Sequence, residues 1–388
     1  MLRPAWVEVD LGAIRHNVGK LVALVAPAEL CAVVKADGYG HGSVESSKAA
    51  LQGGATSLAV ALVEEGVKLR QAGIEAPILV LSEPPAGQVP VLVDNQLTPT
   101  LYTHEGIELV AKAVVGRGGF GPGSVPYSVQ VKVDTGMHRV GAEPREIIEL
   151  VADITHRPEL ALGALWSHCA VADDPEDPFT AEQLRRFDEV TAALQTAGWR
   201  PPLRHIANSA AAIAHPETRL DLVRCGIAVY GLAPSPVLAG RVDLRPAMTL
   251  RSTVSFVHTV PAGEGSCYGL RRRFDRDTEV ATVPIGYADG VWRGLSDRGQ
   301  VLIGGARRRL AGTVTMDQIV IECGDGPEVS VGDEVVLIGR QGDEEITAQE
   351  WADQIGSIVY EVVCNIGDRV PRTYRGDPEP ANPEEPEP

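Results

Sequence analysis

The sequence predicts an α/β chain, an N-terminal (β/α)8 TIM-type barrel followed by a C-terminal, mostly β domain, on three observations. Short β-branched runs alternate with amphipathic stretches from residue 30 to about 232, the pattern of repeated βα units around a parallel sheet. Past Gly231 the rhythm changes to strands separated by Gly and Asp turns. The 388 residues, 44 % of them hydrophobic, are too many for one ordinary core and enough for a barrel of about 250 residues plus a second domain.

Eight runs can be counted in the first part: Leu30–Lys35, Ser57–Ala61, Ile78–Leu81, Leu97–Leu101, Val129–Val133, Ala161–Trp166, Leu203–Ala207 and Leu222–Ile227. Eight parallel strands of this length close into a barrel. In the second part the runs are Leu250–Val257, Val280–Pro284, Gln300–Ile303, Ile319–Glu322 and Glu334–Ile338. One helix, Thr347–Gly356, opens on a T-x-x-E capping box. The loop Leu232–Arg245, with its prolines and glycine, marks the boundary, so the barrel is expected at 1–240 and the β domain at 241–375. A disordered tail is expected at 376–388, where Asp377, Glu379, Glu384, Glu385 and Glu387 stand among prolines.

A net charge of −17, from 35 basic against 52 acidic residues, argues against a nucleic-acid or membrane-surface partner, since either needs a basic face. Small polar metabolites are the expected ligands. The six cysteines include no C-x-x-C pair, and MLRPAWVEVDLGA holds no uninterrupted apolar core of a secretory signal, so a reducing cytoplasm is expected. No apolar run approaches the roughly 20 residues that span a bilayer.

In a parallel barrel the chemistry sits at the C-terminal ends of the strands. The first run ends at Lys35 in VVKADGYGHG. The fifth carries Lys132 and leads to Arg139 in VKVDTGMHRVG. His168 follows the sixth, Asn208 and Ser209 follow the seventh, and Arg224 precedes Gly226 and Ile227 on the eighth. Taken singly, each is an ordinary solvated or core residue. Jointly they place Ser209 and the Gly226–Ile227 backbone in the loops after strands seven and eight, where barrels of this kind bind phosphate. A phosphate site facing a lysine on strand one points to pyridoxal phosphate.

The strings VVKADGYGHG, VKVDTGMHRVG, HIANSAA, VRCGIAVYGL, CYG, VPIGYADG and TMDQ, in this order up to Arg372, resemble alanine racemase of the barrel-fold pyridoxal-phosphate class. The resemblance implies that Lys35 carries pyridoxal 5'-phosphate as an imine and that Tyr39 binds its phosphate with Ser209, Gly226, Ile227 and Tyr360. Arg224 would face the pyridine nitrogen. Lys35 and Tyr268 would be the two bases on opposite faces of the substrate, Tyr268 reaching the barrel of a second subunit in a homodimer with shared active sites. His168 and Arg224 would support the Tyr268 phenolate. Arg139 and the Met316 backbone would meet the substrate carboxylate, Asp317 and Tyr287 would line the approach, and Arg293 would lie further out. The implied activity is interconversion of L- and D-alanine for cell-wall peptidoglycan.

Alternation in VQVKVD puts Gln130, Lys132 and Asp134 on one face, so Lys132 is expected to point into the barrel, where an unpaired ammonium is costly. The resemblance implies that Lys132 is carbamylated and holds Arg139; pairing with Asp134 is the alternative. Three positions depart from the family pattern: Asp368 before R-V-P-R, Thr313 in GTVTMDQ, and His138 where Gly is usual. They leave open a broader-specificity or serine racemase. A decarboxylase of similar architecture lacks support because its Gly-rich and cysteine-aspartate strings are missing. A cofactor-carrying barrel would have no use for Tyr268, and a cofactor-free sugar-phosphate barrel would be colourless.

Overall fold

The structure, a computed structural model, describes residues 4–117, 123–324 and 326–376. Apart from Gly376, the acidic tail expected at 376–388 lies outside the described residues. The chain divides into two compact units, one of Ala13–Tyr39 with Ser43–Pro246, the other of Met1–Gly12, Gly40–Gly42 and Ala247–Pro388. The first strand, β1 (Ala5–Asp10), therefore belongs with the C-terminal residues, whereas the sequence reading begins the barrel at residue 1.

The barrel unit is built from the next eight strands: β2 (Glu29–Val33), β3 (Ser57–Val60), β4 (Ile78–Val80), β5 (Thr98–Leu101), β6 (Tyr127–Lys132), β7 (Leu160–Trp166), β8 (Leu203–His205) and β9 (Leu222–Cys225). Each coincides with one of the eight expected runs to within a few residues. The order is β8-β7-β6-β5-β4-β3-β2-β9, and every pairing is parallel. Two backbone hydrogen bonds link the ends of that order: Asp221 N–H donates to Arg204 O at 3.0 Å and Arg224 N–H to Ala207 O at 3.1 Å. Strands covered on both faces read as continuous apolar runs, which is why ILV and SLAV form strands without alternation. The fully buried Asn17 fastens the helix Leu11–Val25 to the chain leaving the barrel, donating to Val229 O (3.1 Å) and Arg245 O (2.9 Å) and accepting from Arg245 N–H (2.7 Å).

The second unit is antiparallel for the most part. Its strands are β1, β10 (Met248–Thr253), β11 (Phe256–Val260), β12 (Gly265–Ser266), β13 (Arg272–Arg273), β14 (Thr278–Val283), β15 (Gln300–Ile303), β16 (Ala306–Arg309), β17 (Ile319–Glu322), β18 (Glu334–Gln341), β19 (Glu344–Ile346) and β20 (Arg372–Arg375). One sheet runs β16-β15-β18-β10-β1-β20, another β11-β14-β17. AWVEVD alternates buried and half-buried positions, the pattern of a strand with one face on a core, and it pairs antiparallel with β10 and parallel with β20. The single run expected at Leu250–Val257 is in fact two strands in different sheets. Val254 N–H donates to Asp333 O and Ser255 N–H to Thr282 O, so the chain leaves one sheet for the other within two residues.

The helix Ala348–Ile355 stops and starts where the sequence reading puts it. Thr347 Oγ1 accepts from Glu350 N–H at 3.0 Å, Glu350 Oε1 accepts from Thr347 N–H at 3.2 Å, and Gly356 ends the helix at φ 69°. Thr347→Ala is expected to lower stability by about 1 kcal/mol, measurable by urea denaturation; an unchanged midpoint would remove the cap from the account.

Candidate active site

At the C-terminal end of the barrel strands the interior is polar and cationic. Arg224, at 2 % exposure on β9, spreads its guanidinium among neutral acceptors: Nη1 approaches His205 Nδ1 at 2.5 Å, and Nη2 reaches Ser167 O at 2.7 Å, His168 Nδ1 at 3.0 Å and Ile206 O at 3.2 Å. No carboxylate pairs with it among the described residues. Burial pushes its pKa down to about 10, which still leaves it protonated near neutrality. Arginine has no acceptor, so both facing Nδ1 atoms are unprotonated and both histidines carry their proton on Nε2. His205 Nε2 then donates to Gln130 Oε1 at 3.0 Å. Burial first, and Arg224 second, hold both histidines well below the ordinary imidazole range, so they stay neutral. Trp166 backs this layer: the His205 ring stacks on it at 5.5 Å, Arg224 Cζ lies 4.5 Å from its ring centroid and Lys132 Nζ 4.4 Å.

Lys132 is 4 % exposed, and no ion pair to it is found among the described residues. Asp134 is engaged elsewhere, by Gly136 N–H at 2.8 Å, His138 N–H at 3.1 Å and the His138 ring at 3.2 Å, which disfavours the Asp134 pairing. His138 sits at φ 54°, a left-handed position where glycine is the ordinary choice, and the bonds to Asp134 hold the substitute in place. Desolvation, then Arg224 and Arg139, push the Lys132 pKa down to about 7. The unfolded chain therefore binds more protons than the native state between about pH 7 and the ordinary lysine range, and stability rises with pH across that window. In carbonate-free buffer the thermal midpoint should climb from pH 7 to pH 9, and Lys132→Met should flatten that slope; an equal slope in the variant would contradict the assignment.

Lys35 lies just past β2, at the start of a turn whose next residues are all left-handed: Ala36 at φ 51°, Asp37 at 50°, Gly38 at 67° and Tyr39 at 53°. Each non-glycine residue there costs roughly 1–2 kcal/mol. The turn sends Lys35 and Tyr39 from its two ends. Tyr39 is buried, its ring 5.2 Å from that of Tyr230. A Cβ built on Gly226 would stand 2.3 Å from the Tyr39 hydroxyl, so glycine lets the loop after β9 approach Tyr39 this closely. Gly226 N–H donates to Ser209 Oγ at 2.9 Å. Ser209 and Ile227 each open a short helical turn, and first-turn amides lie outside the helical ladder and face an anion readily. This donor set fits a phosphate, and a guanidinium lacking a carboxylate partner fits a hydrogen-bond acceptor such as a pyridine nitrogen. Arg139 is exposed and makes no hydrogen bond among the described residues.

The remaining expected site residues lie in the other unit. Tyr268 is 76 % exposed on a turn whose Cys267, Gly269 and Leu270 have φ of 58°, 79° and 45°. Thr313, buried, donates its hydroxyl to Tyr268 O at 2.8 Å, so this departure from the family pattern supports the tyrosine turn. Tyr287 N–H donates to Thr315 O (2.9 Å) and Ala288 N–H to Met316 O (3.0 Å), which gathers Tyr287, Met316 and Asp317. Arg369 joins Asp317 (2.7 Å) to the buried Asp289 (3.3 Å). Arg293 and Asp368 are exposed, and Tyr360 is half-buried on the helix Val359–Cys364. Arg369, Asp289 and His205 are given no role in the sequence reading, and Gln130 enters it only as a neighbour of Lys132 on one strand face; only the position of His205, at the end of a barrel strand, signals its role.

Two family models match, the alanine racemase N-terminal domain over residues 9–234 and the alanine racemase C-terminal domain over 247–374. The chain belongs to the alanine racemase family. An alanine racemase of Symbiobacterium thermophilum is 46 % identical to it over 97 % of this chain and 98 % of that protein. The crystal structure of alanine racemase from Streptomyces lavendulae superposes with a TM-score of 0.90 at 39 % identity, covering 97 % of this chain and 98 % of that one. A histidine racemase of Leuconostoc mesenteroides subsp. sake shares the fold at a TM-score of 0.87 and 27 % identity, over 96 % and 98 % of the two chains. Racemases are isomerases, and this member of the alanine racemase family is one. Among its described residues no helix is long and apolar enough to cross a membrane.

Proposed function

We propose that this member of the alanine racemase family interconverts L- and D-alanine with pyridoxal 5'-phosphate, using Lys35 and Tyr268 as bases on opposite faces of the α-carbon. The observation that carries the reading is the buried Arg224 fork, charged, fixed by two neutral histidines and without a carboxylate among the described residues, at the same strand ends as Lys35. Lys35 would hold the cofactor, with Tyr39, Ser209, Gly226, Ile227 and Tyr360 on its phosphate. When bound, pyridoxal phosphate withdraws electrons from the α-carbon of the attached amino acid and acidifies its hydrogen.

Arg224, protonated near neutrality, would donate to the ring nitrogen and leave it unprotonated, which would limit charge delocalisation and disfavour transamination and elimination. His168 Nδ1 accepts from Arg224, so its Nε2–H is left to donate to the Tyr268 oxygen and stabilise phenolate. Lys132, with a pKa near 7, is a nucleophilic amine at neutral pH; adding to carbon dioxide with loss of a proton, it becomes a carbamate anion that holds Arg139. Arg139 and the Met316 backbone would take the substrate carboxylate, with Tyr287 and Asp317 lining the approach. The working enzyme is a cytoplasmic homodimer in which Tyr268 serves the partner's site, and its product supplies D-alanine for peptidoglycan.

Incubation with L-alanine in deuterated water should lose optical rotation as deuterium enters the α-carbon. A protein that stays colourless with pyridoxal phosphate, or leaves rotation unchanged, would sink the reading. The histidine racemase sharing this fold supports a second reading, a broader substrate range. L-serine, L-lysine and L-histidine run in parallel decide between the two.

A further inference from the structure

Three L-residues in a row of four left-handed positions need contacts to hold them, and two of these contacts come from one face of the helix Val63–Gln71. Glu65 Oε1 accepts from Ala36 N–H at 2.6 Å, while Oε2 accepts from Ala61 N–H at 2.8 Å and Leu62 N–H at 3.1 Å. A single carboxylate thus ties the end of β3 to the turn that follows β2. Three residues on, and so on the same helix face, Lys68 Nζ lies 2.7 Å from Asp37 Oδ1, which also accepts from Ser43 N–H at 3.0 Å and Ser43 Oγ at 3.1 Å. The Lys68–Asp37 pair is 56 % and 38 % exposed and solvent-screened, so Glu65 is the firmer of the two clamps.

We infer that Glu65 is a positioning residue of the cofactor site: it holds Ala36 left-handed and so sets the directions in which Lys35 and Tyr39 leave the turn. The inference rests on the reading of Lys35 and Tyr39 as the residues that hold pyridoxal phosphate. Residue type follows from the geometry. An ionised carboxylate accepts from three amides at once, a glutamine turns N–H donors toward N–H donors, and an aspartate is one methylene short.

The test is the dissociation constant of pyridoxal phosphate, read from visible absorbance, for the full-length protein and its variants. E65Q is expected to bind about tenfold more weakly, the loss of one charge-assisted hydrogen bond. E65Q/A36G should recover most of that affinity, because glycine takes positive φ without a steric penalty, whereas A36G alone should bind as the unsubstituted protein does. A merely structural role for Glu65 would not be repaired at Ala36. Unchanged binding by E65Q, or a loss that A36G does not repair, overturns the inference while leaving the cofactor assignment intact. Should E65Q fail to fold, A36V replaces it. With Glu65 present, its β-branched side chain resists the left-handed region and should weaken binding, and unchanged affinity overturns the inference. Protein that binds no pyridoxal phosphate at all, or keeps the bound colour in Lys35→Ala, overturns the cofactor assignment and this inference together.

Discussion

Lys35→Ala is expected to abolish racemisation, with kcat falling by at least about 10⁴-fold, because the proposed mechanism gives this lysine two tasks. A positioned proton-transfer group supplies about 10²–10⁴ in rate, while enzymes need about 10⁶ or more over the uncatalysed reaction. No single base closes that gap, so in the proposed mechanism most of the acceleration comes from the cofactor, and Lys35 would be both its attachment and one of the bases. The fold should survive. Lys35 is half-buried at the head of a turn whose conformation is set by backbone contacts and Glu65. Deuterium incorporation into L-alanine gives the rate and visible absorbance gives cofactor retention. Turnover within about tenfold of the unsubstituted enzyme would remove Lys35 from the chemistry.

Tyr268→Phe should lower kcat by about 10²–10⁴ in both stereochemical directions with KM little changed, since only a proton-transfer group is lost. Inversion should suffer more than exchange. The base on the other face still removes its hydrogen, so one enantiomer should pick up deuterium while converting slowly to the other. Stability should be unaffected, because the side chain is 76 % exposed and the bond from Thr313 goes to the Tyr268 carbonyl. Intact turnover in both directions would end the two-base reading. In the proposed mechanism the His168 Nε2–H stabilises the Tyr268 phenolate; His168→Leu should then shift the pH-rate profile to higher pH.

The eight barrel strands were legible because burial on both faces leaves a local mark, a short β-branched run between amphipathic stretches. The Thr347 helix was legible because capping is local too. The polar residues at strand ends were found for the same reason: strand ends can be located, and barrels put their chemistry there. What escaped depends on partners far away in the chain. AWVEVD alternates as an antiparallel strand should, yet its partner lies at Met248–Thr253, and position alone had assigned it to the barrel. The break near Val254 has no composition signal, because the residues on either side are equally strand-prone and only Asp333 and Thr282 separate the sheets.

The site shows the same division. From its own residues the sequence determined which side chains stand at the strand ends, that Lys132 faces inward, and that the motif order matches one family. Only the tertiary structure decided that Asp134 bonds His138, that His168 and His205 share Arg224 as neutral acceptors, and that Glu65 reaches Ala36. The reason is geometric: periodicity encodes which face a residue occupies, but hydrogen-bond partners and protonation states are set by atoms within about 3 Å of each other across long stretches of chain, and spacing along the sequence does not carry that information.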